Sequence, residues 1–407
     1  MSKPLPDNYC RLPWAGISND PDGRARACCI YRDFITDTDQ QPLWVQKHTT
    51  YEIFHSQYMQ DLRQQFRNNE RPRGCATCWN DEDMGYTSKR QNYLKEGFDF
   101  FNTQADMDWE KEPDMPYEYQ MIISNSCNLK CRSCDPSHST LWQNEQLKVY
   151  NNRGYNMPYG QSGDEQGVLW KDRQGWYANL KRLEIVGGEP FYVKQWHQIW
   201  NELIDQGYAG NMALNMSTNG TIIYPDMLRK LWTNFKGFGL SLSIDGTGAQ
   251  YEYLRHPGKW SRVSEVIKQY VALKDESNNK MSCQVTTTIG WQNAWYLPDI
   301  HEFFSKEAPL KVWNNIIYGP NHMALWACPD SLKQAIIKRW DEYDWKPEYR
   351  EDIEGIKRYM LSQSITDQEF VKQLQELKRV DVIRDENLLA SFPDIAEHIE
   401  PYWNIDV

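Results

Sequence analysis

Cys127, Cys131 and Cys134 stand at a C-x3-C-x2-C spacing within Ser126-Cys127-Asn128-Leu129-Lys130-Cys131-Arg132-Ser133-Cys134. This crowding constrains the chain more than any other feature. The strand-like run Tyr117 to Ser124 precedes it directly, so three thiolates fall on one tight loop at the end of a strand. Three soft donors so placed can hold three irons of a cubane cluster and leave the fourth iron open. A structural zinc ion is the alternative, and it would need a fourth ligand such as His138. Zinc sites more often pair two C-x2-C hooks, which favours iron.

From Pro116 onward, short apolar runs alternate with longer helical patterns, the sign of βα units and a parallel sheet. Candidate strands are Tyr119 to Ser124, Leu183 to Val186, Ala213 to Ser217, Gly239 to Ile244, Gln284 to Ile289 and Lys311 to Ile317. Helices are expected over Ser137 to Tyr150, Val193 to Gln206, Pro225 to Asn234, Ser261 to Lys274 and Tyr296 to Lys306. Six such units make an α/β fold, an open partial (β/α)6 TIM-like barrel. Ligands of parallel sheets gather at the carboxyl ends of strands, which directs attention to the residues just after each one.

After the second candidate strand comes Gly187-Gly188-Glu189-Pro190, where two glycines admit a close backbone approach and Glu189 can pair with an ammonium group. The cysteine spacing resembles the signature of the radical S-adenosylmethionine (radical SAM) superfamily, and this turn resembles that family's GGEP motif. The resemblance implies that the open iron chelates the amino and carboxylate groups of S-adenosylmethionine, whose methionyl amine lies against Gly187, Gly188 and Glu189. Ser217-Thr218-Asn219-Gly220 and Ser243-Ile244-Asp245-Gly246 also resemble family segments, and the serine-to-arginine interval of twelve is met by Ser243 and Arg255. It implies cofactor contacts from Asn219, Ser243, Asp245 and Arg255, although Asn219-Gly220 and Asp245-Gly246 equally read as plain turn dipeptides. One position departs from the family. Ser133 stands where an aromatic residue often lies against adenine, which shifts that role to other walls such as the backbone around Ile317 and Tyr318.

The N-terminal region holds a second cysteine pattern: Cys10, then Gly23, Cys28 and Cys29, and much later Cys75 and Cys78 in a C-x2-C pair. Asn19-Asp20-Pro21-Asp22-Gly23 has the composition of a turn that reverses the chain and brings Cys10 towards Cys28. Four thiolates from separated pieces can close around a cluster or a tetrahedral ion, so a zinc ribbon remains a reading of the spacing. The arrangement resembles the auxiliary-cluster module called twitch, the short form of the SPASM domain. The resemblance implies an auxiliary [4Fe-4S] cluster on Cys10, Cys28, Cys75 and Cys78, with Cys29 spare. Such modules usually follow the barrel, whereas this one precedes it. Thr50 to Asn68 reads as one helix with Ile53, Phe54, Met59, Leu62 and Phe66 on one face.

The chain of 407 residues carries a formal charge of -11, which argues against broad contact with nucleic acid or an anionic membrane. No apolar leader opens it and no apolar run is long enough to span a bilayer, so a cytoplasmic protein is expected. Ten cysteines in this setting point to metal ligation rather than disulfides. Most of the 18 tryptophans and 24 tyrosines are expected in cores and interfaces. Asn151 to Asp172 lacks periodicity and reads as a lid or a disordered insert. Cys283 and Cys328 are expected to be buried and inert, with a hydrogen-donor role the alternative. The C-terminal stretch turns acidic and helical, with helices over Ser331 to Tyr343 and Asp367 to Lys378, a Thr366/Glu369 capping box, and no catalytic constellation. It is expected to cover the barrel's open side or the auxiliary cluster.

These readings divide the chain into an auxiliary-cluster domain (1–110), a radical SAM core barrel (111–325) and a helical extension (326–407). The family resemblance implies an enzyme that cleaves S-adenosylmethionine to a 5'-deoxyadenosyl radical and abstracts hydrogen from a small-molecule or peptide substrate, with a reducing partner such as a flavodoxin or ferredoxin. The competing class is a noncatalytic iron-sulfur or zinc protein.

Overall fold

The computed structural model describes residues 4–94, 108–150 and 172–405. Its centre is an eight-stranded sheet in a mixed α/β fold. The strands are β1 (Gly16–Asn19), β2 (Ala25–Arg26), β3 (Glu118–Met121), β4 (Arg182–Ile185), β5 (Ala213–Thr218), β6 (Gly237–Ser243), β7 (Met281–Ile289) and β8 (Lys311–Ile316). Their order is β2-β1-β3-β4-β5-β6-β7-β8, every pairing being parallel except the antiparallel β1/β2. The six expected strands are all present.

Side chains alternate along each strand, and the register aligns them into rows. Ser18, Gln120, Glu184, Asn215, Gly239 and Ser282 stand side by side across β1, β3, β4, β5, β6 and β7. The neighbouring row on the opposite face is apolar, with Ile17, Tyr119, Leu183, Leu214, Phe238 and Met281 all buried. Against that apolar face pack α-helices whose buried stripes have the 3.6-residue period. In the helix Lys194–Asp205 the stripe is Trp196, Ile199, Trp200 and Leu203; in Pro225–Asn234 it is Leu228, Leu231 and Trp232. The helices Trp260–Glu276 and Leu297–Lys306 complete the layer. Full burial of a large apolar side chain contributes roughly 2 to 3 kcal/mol, so this face holds the sheet and leaves the other, polar face available.

The N-terminal segment does more than add a separate hairpin. Residues Gly16 to Ser18 pair with Glu118 to Gln120 and extend the sheet at one edge. The turn around Gly23, at φ 96°, reverses the chain as its composition requires. At the other edge the same segment returns: the Tyr86 hydroxyl donates to Asn314 O at 3.0 Å and the Tyr318 hydroxyl to Asp81 Oδ1 at 2.7 Å. One segment thus touches both edges, so the sheet curves back towards itself. One apolar core runs from Tyr9 and Trp14 through Val312, and a second joins Tyr253 and Ile289 to the C-terminal helices as far as Ile399.

Several element boundaries differ from the expectation. The stretch Thr50 to Asn68 is two helices, Thr50–Phe54 and Gln57–Arg67, because the Ser56 side chain accepts from Met59 N and starts a new helix. β3 stops at Met121, where the Asn19 side chain takes Ile122 N and donates to Ile122 O and so replaces the ladder. The helix expected over Asp367 to Lys378 continues to Arg384, its Thr366/Glu369 capping box in place. A helix over Pro347–Leu361 escaped the sequence reading. The expected lid falls on residues 151–171, outside the described residues.

Candidate functional site

The cysteine loop leaves the sheet at the carboxyl end of β3 and is tied down by its own backbone. Cys134 N donates to Cys131 O at 3.1 Å, Leu129 N to Cys127 Sγ at 3.4 Å, and the Trp142 indole to Cys131 O at 2.7 Å. Burial pushes the Cys127 thiol up to about 12 and raises Cys131 and Cys134 as well. Thiols in such surroundings ionise only when a metal charge offsets the burial.

The next strand end docks onto this loop. Gly187 and Gly188 have φ of 87° and 57°, and a Cβ on Gly188 would lie 2.4 Å from Ser126 O. A Cβ on Gly187 would meet Ile122 Cγ2 at 2.5 Å. Only glycine allows that approach, and it lets Glu189 N donate to Ser126 O at 2.9 Å. Glu189 is fully buried. Its carboxylate accepts from Phe191 N (3.2 Å), the Thr218 hydroxyl (2.8 Å) and Asn219 N (2.7 Å). Burial nevertheless raises its pKa to about 7. Two carboxylate oxygens offer about four acceptor sites, so one position stays available for a further donor.

Asn219 and Arg255 connect the remaining strand ends to the sulfurs. Asn219 Nδ2 reaches Cys127 Sγ at 3.9 Å and Asn128 Oδ1 at 2.8 Å. Arg255 Nη1 reaches Cys131 Sγ at 3.8 Å, while Nη2 pairs with Asp245 Oδ2 at 2.8 Å. Asp245 Oδ1 accepts from Thr288 N at 2.8 Å. Ser243, the last residue of β6, is half-buried opposite Thr286. Arg255 Nε and the Tyr251 hydroxyl are buried donors with no hydrogen-bond partner among the described residues. Orphaned donors beside a carboxylate-paired guanidinium suit an acceptor-rich ligand, such as the carboxylate or ribose hydroxyls of a nucleoside cofactor.

Beside the third cysteine opens a cleft with about 980 Å³ of empty space, lined by Ser133, Cys134, Trp142, Gly319, Pro320 and His322 among others. Ile317 is buried with its N bonded to Ile289 O, and Tyr318 reaches Asp81.

Cys10, Cys28, Cys75 and Cys78 line a single cleft with about 330 Å³ of empty space, together with Lys89 and Arg90. Burial raises all four thiols, Cys10 to about 12. A second, small cavity shares Leu12, Cys28 and Lys89 with this cleft and extends along the polar row to Gln120 and Glu184. Cys29 lines it and accepts from Lys89 Nζ at 2.8 Å. Cys283 and Cys328 instead lie buried in the apolar cores. His138 Nδ1 bonds to Asp135 Oδ1 at 3.1 Å. Among the described residues no three His, Cys, Asp or Glu side chains converge as ligands of one metal ion.

The sequence reading missed the charged residues that grip the cysteine loop: Glu145 on the helix Thr140–Tyr150, Asp381 and Arg384 on the helix Asp367–Arg384, and Glu386 just beyond it. Arg132 pairs with Asp381 and Glu386, and Lys130 with Glu145. Asp381, Arg384 and Glu386 lie far along the chain from the loop and left no local signal.

No protein-family model and no curated protein matches the chain. Solved structures similar to it include native anSMEcpe with bound AdoMet, at 16% identity over 66% of this chain and 61% of that chain, with a TM-score of 0.34. SuiB from Streptococcus suis is 12% identical over 96% of this chain and 74% of that one, with a TM-score of 0.35. SuiB bound to precursor peptide SuiA gives 13% identity, 79% and 64% coverage, and a TM-score of 0.34. The chain spans about three-fifths of the anSMEcpe chain's length. At such TM-scores the superpositions are too loose to transfer a residue's role.

Proposed function

We propose that the chain is a radical SAM enzyme built on a partial (β/α)6 barrel. Cys127, Cys131 and Cys134 would hold a catalytic [4Fe-4S] cluster, and Cys10, Cys28, Cys75 and Cys78 an auxiliary one. One observation carries this reading: four strand ends distant in sequence bond to one another around the cysteine loop. Gly188 and Glu189 sit on Ser126, Asn219 bridges Glu189 to Cys127, and Arg255 bridges Asp245 to Cys131.

When bound and reduced, the catalytic cluster would supply the electron that splits S-adenosylmethionine into methionine and a 5'-deoxyadenosyl radical. The chain's own part is to bind and orient. Glu189 offers its remaining acceptor position to the methionyl ammonium, and Arg255 Nε with the Tyr251 hydroxyl offers donors to carboxylate or ribose oxygens. Asn219 and Arg255 donate towards Cys127 and Cys131, contacts that tune a thiolate-bound centre. Trp142 and His322 provide rings at the cleft beside Ser133, where the family's aromatic residue is missing. The polar row of Gln120 and Glu184 gives a small-molecule or peptide substrate a hydrogen-bonding surface next to the auxiliary cleft. That proximity suits a net oxidation in which the auxiliary centre accepts an electron, and a flavodoxin or ferredoxin would deliver the first one.

Anaerobic reconstitution followed by chemical reduction tests the proposal. The expected outcome is release of 5'-deoxyadenosine from added S-adenosylmethionine, abolished in Cys127→Ala together with part of the bound iron. Intact clusters without any cleavage, across small-molecule and peptide candidates, would favour a noncatalytic iron-sulfur protein and overturn the reading.

A further inference from the structure

The cysteine loop is held from outside the sheet by a buried set of charges. Both neighbours of Cys131 take part. Arg132, with its side chain 1% exposed, pairs with Asp381 Oδ1 and Glu386 Oε2, each at 2.5 Å, and its guanidinium lies over the Tyr253 ring at 3.7 Å. Lys130 pairs with Glu145 Oε1 at 2.5 Å, and Arg384, fully buried, takes Glu145 Oε2 at 2.7 Å. Asp381 is fixed in turn by the Tyr253 hydroxyl at 2.9 Å and by Leu388 N at 3.0 Å. Glu386 also pairs with His256 Nδ1 at 2.5 Å.

The backbone of the same two residues is pinned from the strand-end side. Lys130 N donates to His256 O and Arg132 N to Leu254 O, both at 2.7 Å. Leu254 and His256 flank Arg255, the residue that reaches Cys131 Sγ. Cys131 therefore sits at the meeting point of two sets of bonds. A helix that merely covered the barrel would be served as well by apolar contacts, since burying charge costs free energy unless geometry is excellent. Here Asp381, Arg384 and Glu386 each end on a residue next to Cys131 or on its partner.

We propose that the helix Asp367–Arg384, together with Glu386, is the positioning element of the cysteine loop. Asp381 and Glu386 act through Arg132, and Arg384 acts through Glu145 and Lys130. They set where Cys131 stands and how Arg255 meets its sulfur. None of them touches a reacting atom; they are positioning residues. That the positioned loop carries iron rests on the function proposed above, but the clamp itself is a property of the protein alone.

The test has two arms. In metal-free protein, Asp381→Asn/Glu386→Gln is expected to speed hydrogen exchange at the Lys130 and Arg132 amides by on the order of tenfold, the scale of losing charge-assisted hydrogen bonds. Amides of β6 and β7 keep their rates. Unchanged exchange at Lys130 and Arg132 would overturn the proposal. In reconstituted protein the same variant loads iron as the unaltered chain does, but loses two negative charges near the loop. Its catalytic centre is then expected to show an altered electron paramagnetic resonance signal and a midpoint potential shifted in the positive direction, the auxiliary centre being unchanged. Identical spectrum and potential would also overturn it. Should the double variant fail to fold, Glu386→Gln alone, more exposed (15%) than Asp381, carries both measurements. Should the unaltered chain load no iron on Cys127, Cys131 and Cys134, the proposed function fails while the exchange arm still decides the clamp.

Discussion

Gly188 and Glu189 show how much a single residue decides here. Gly188 needs φ 57° and has no room for a Cβ 2.4 Å from Ser126 O. Gly188→Ala is expected to lower unfolding stability by more than about 1 kcal/mol, the scale of a strained backbone, and, on the proposed function, to abolish S-adenosylmethionine binding by displacing Glu189. Urea unfolding and calorimetric titration would check this, and unaltered binding would show that the close approach is dispensable. Glu189 makes a prediction in pH. Burial raises its folded pKa from 4.5 to about 7, so between those values the folded state holds a proton that the unfolded chain has lost. Stability of the metal-free protein therefore falls as pH rises through this window, by on the order of 3 kcal/mol, and levels off above it. Glu189→Gln should flatten that dependence in unfolding experiments run from pH 4.5 to 8; a persistent slope would assign it to other groups.

At the scale of elements, the parallel strands were the most legible part of the chain. Met281–Ile289 buries every second residue, and its part Gln284 to Ile289 reads as a strand without tertiary help. The two short N-terminal helices were harder, because an apolar stripe runs through both and hides the break. What separates them is one hydroxyl, Ser56, whose bond to Met59 N begins the second helix. Ser56→Ala is expected to cost about 1 kcal/mol in unfolding free energy, as the loss of an N-cap does. A change near zero would mean that packing alone ends the first helix. The helix Gln57–Arg67 also carries the buried Arg63, which donates to Pro13 O at 2.9 Å and Phe54 O at 2.8 Å and so joins the segment to the cysteine-bearing N-terminus.

Across the whole molecule, the N-terminal segment is bound into the sheet at β1 and meets the last strand through Tyr86 and Tyr318. Removing residues 1–110 would strip β3 of its parallel neighbour and uncover Tyr119, Leu12's partners and the rest of a shared core. An unpaired strand edge over exposed apolar surface favours association. The truncated chain is therefore expected to aggregate or to lose its near-ultraviolet circular dichroism. A monomeric, cooperatively unfolding product in size-exclusion and melting experiments would show instead that the remaining strands fold alone.

By itself the sequence determined the alternation of strands and helices, the crowding of Cys127, Cys131 and Cys134, and the glycines that must precede Glu189. These signals are local, set by side-chain period, by ligand spacing or by the backbone freedom of one residue. Only the tertiary structure decided that β1 joins the parallel sheet, that Asn219 and Arg255 reach the two sulfurs, and that Asp381, Arg384 and Glu386 grip the loop. Those contacts join residues far apart in the chain, and ion pairing and edge pairing have no period along a sequence from which a partner can be read.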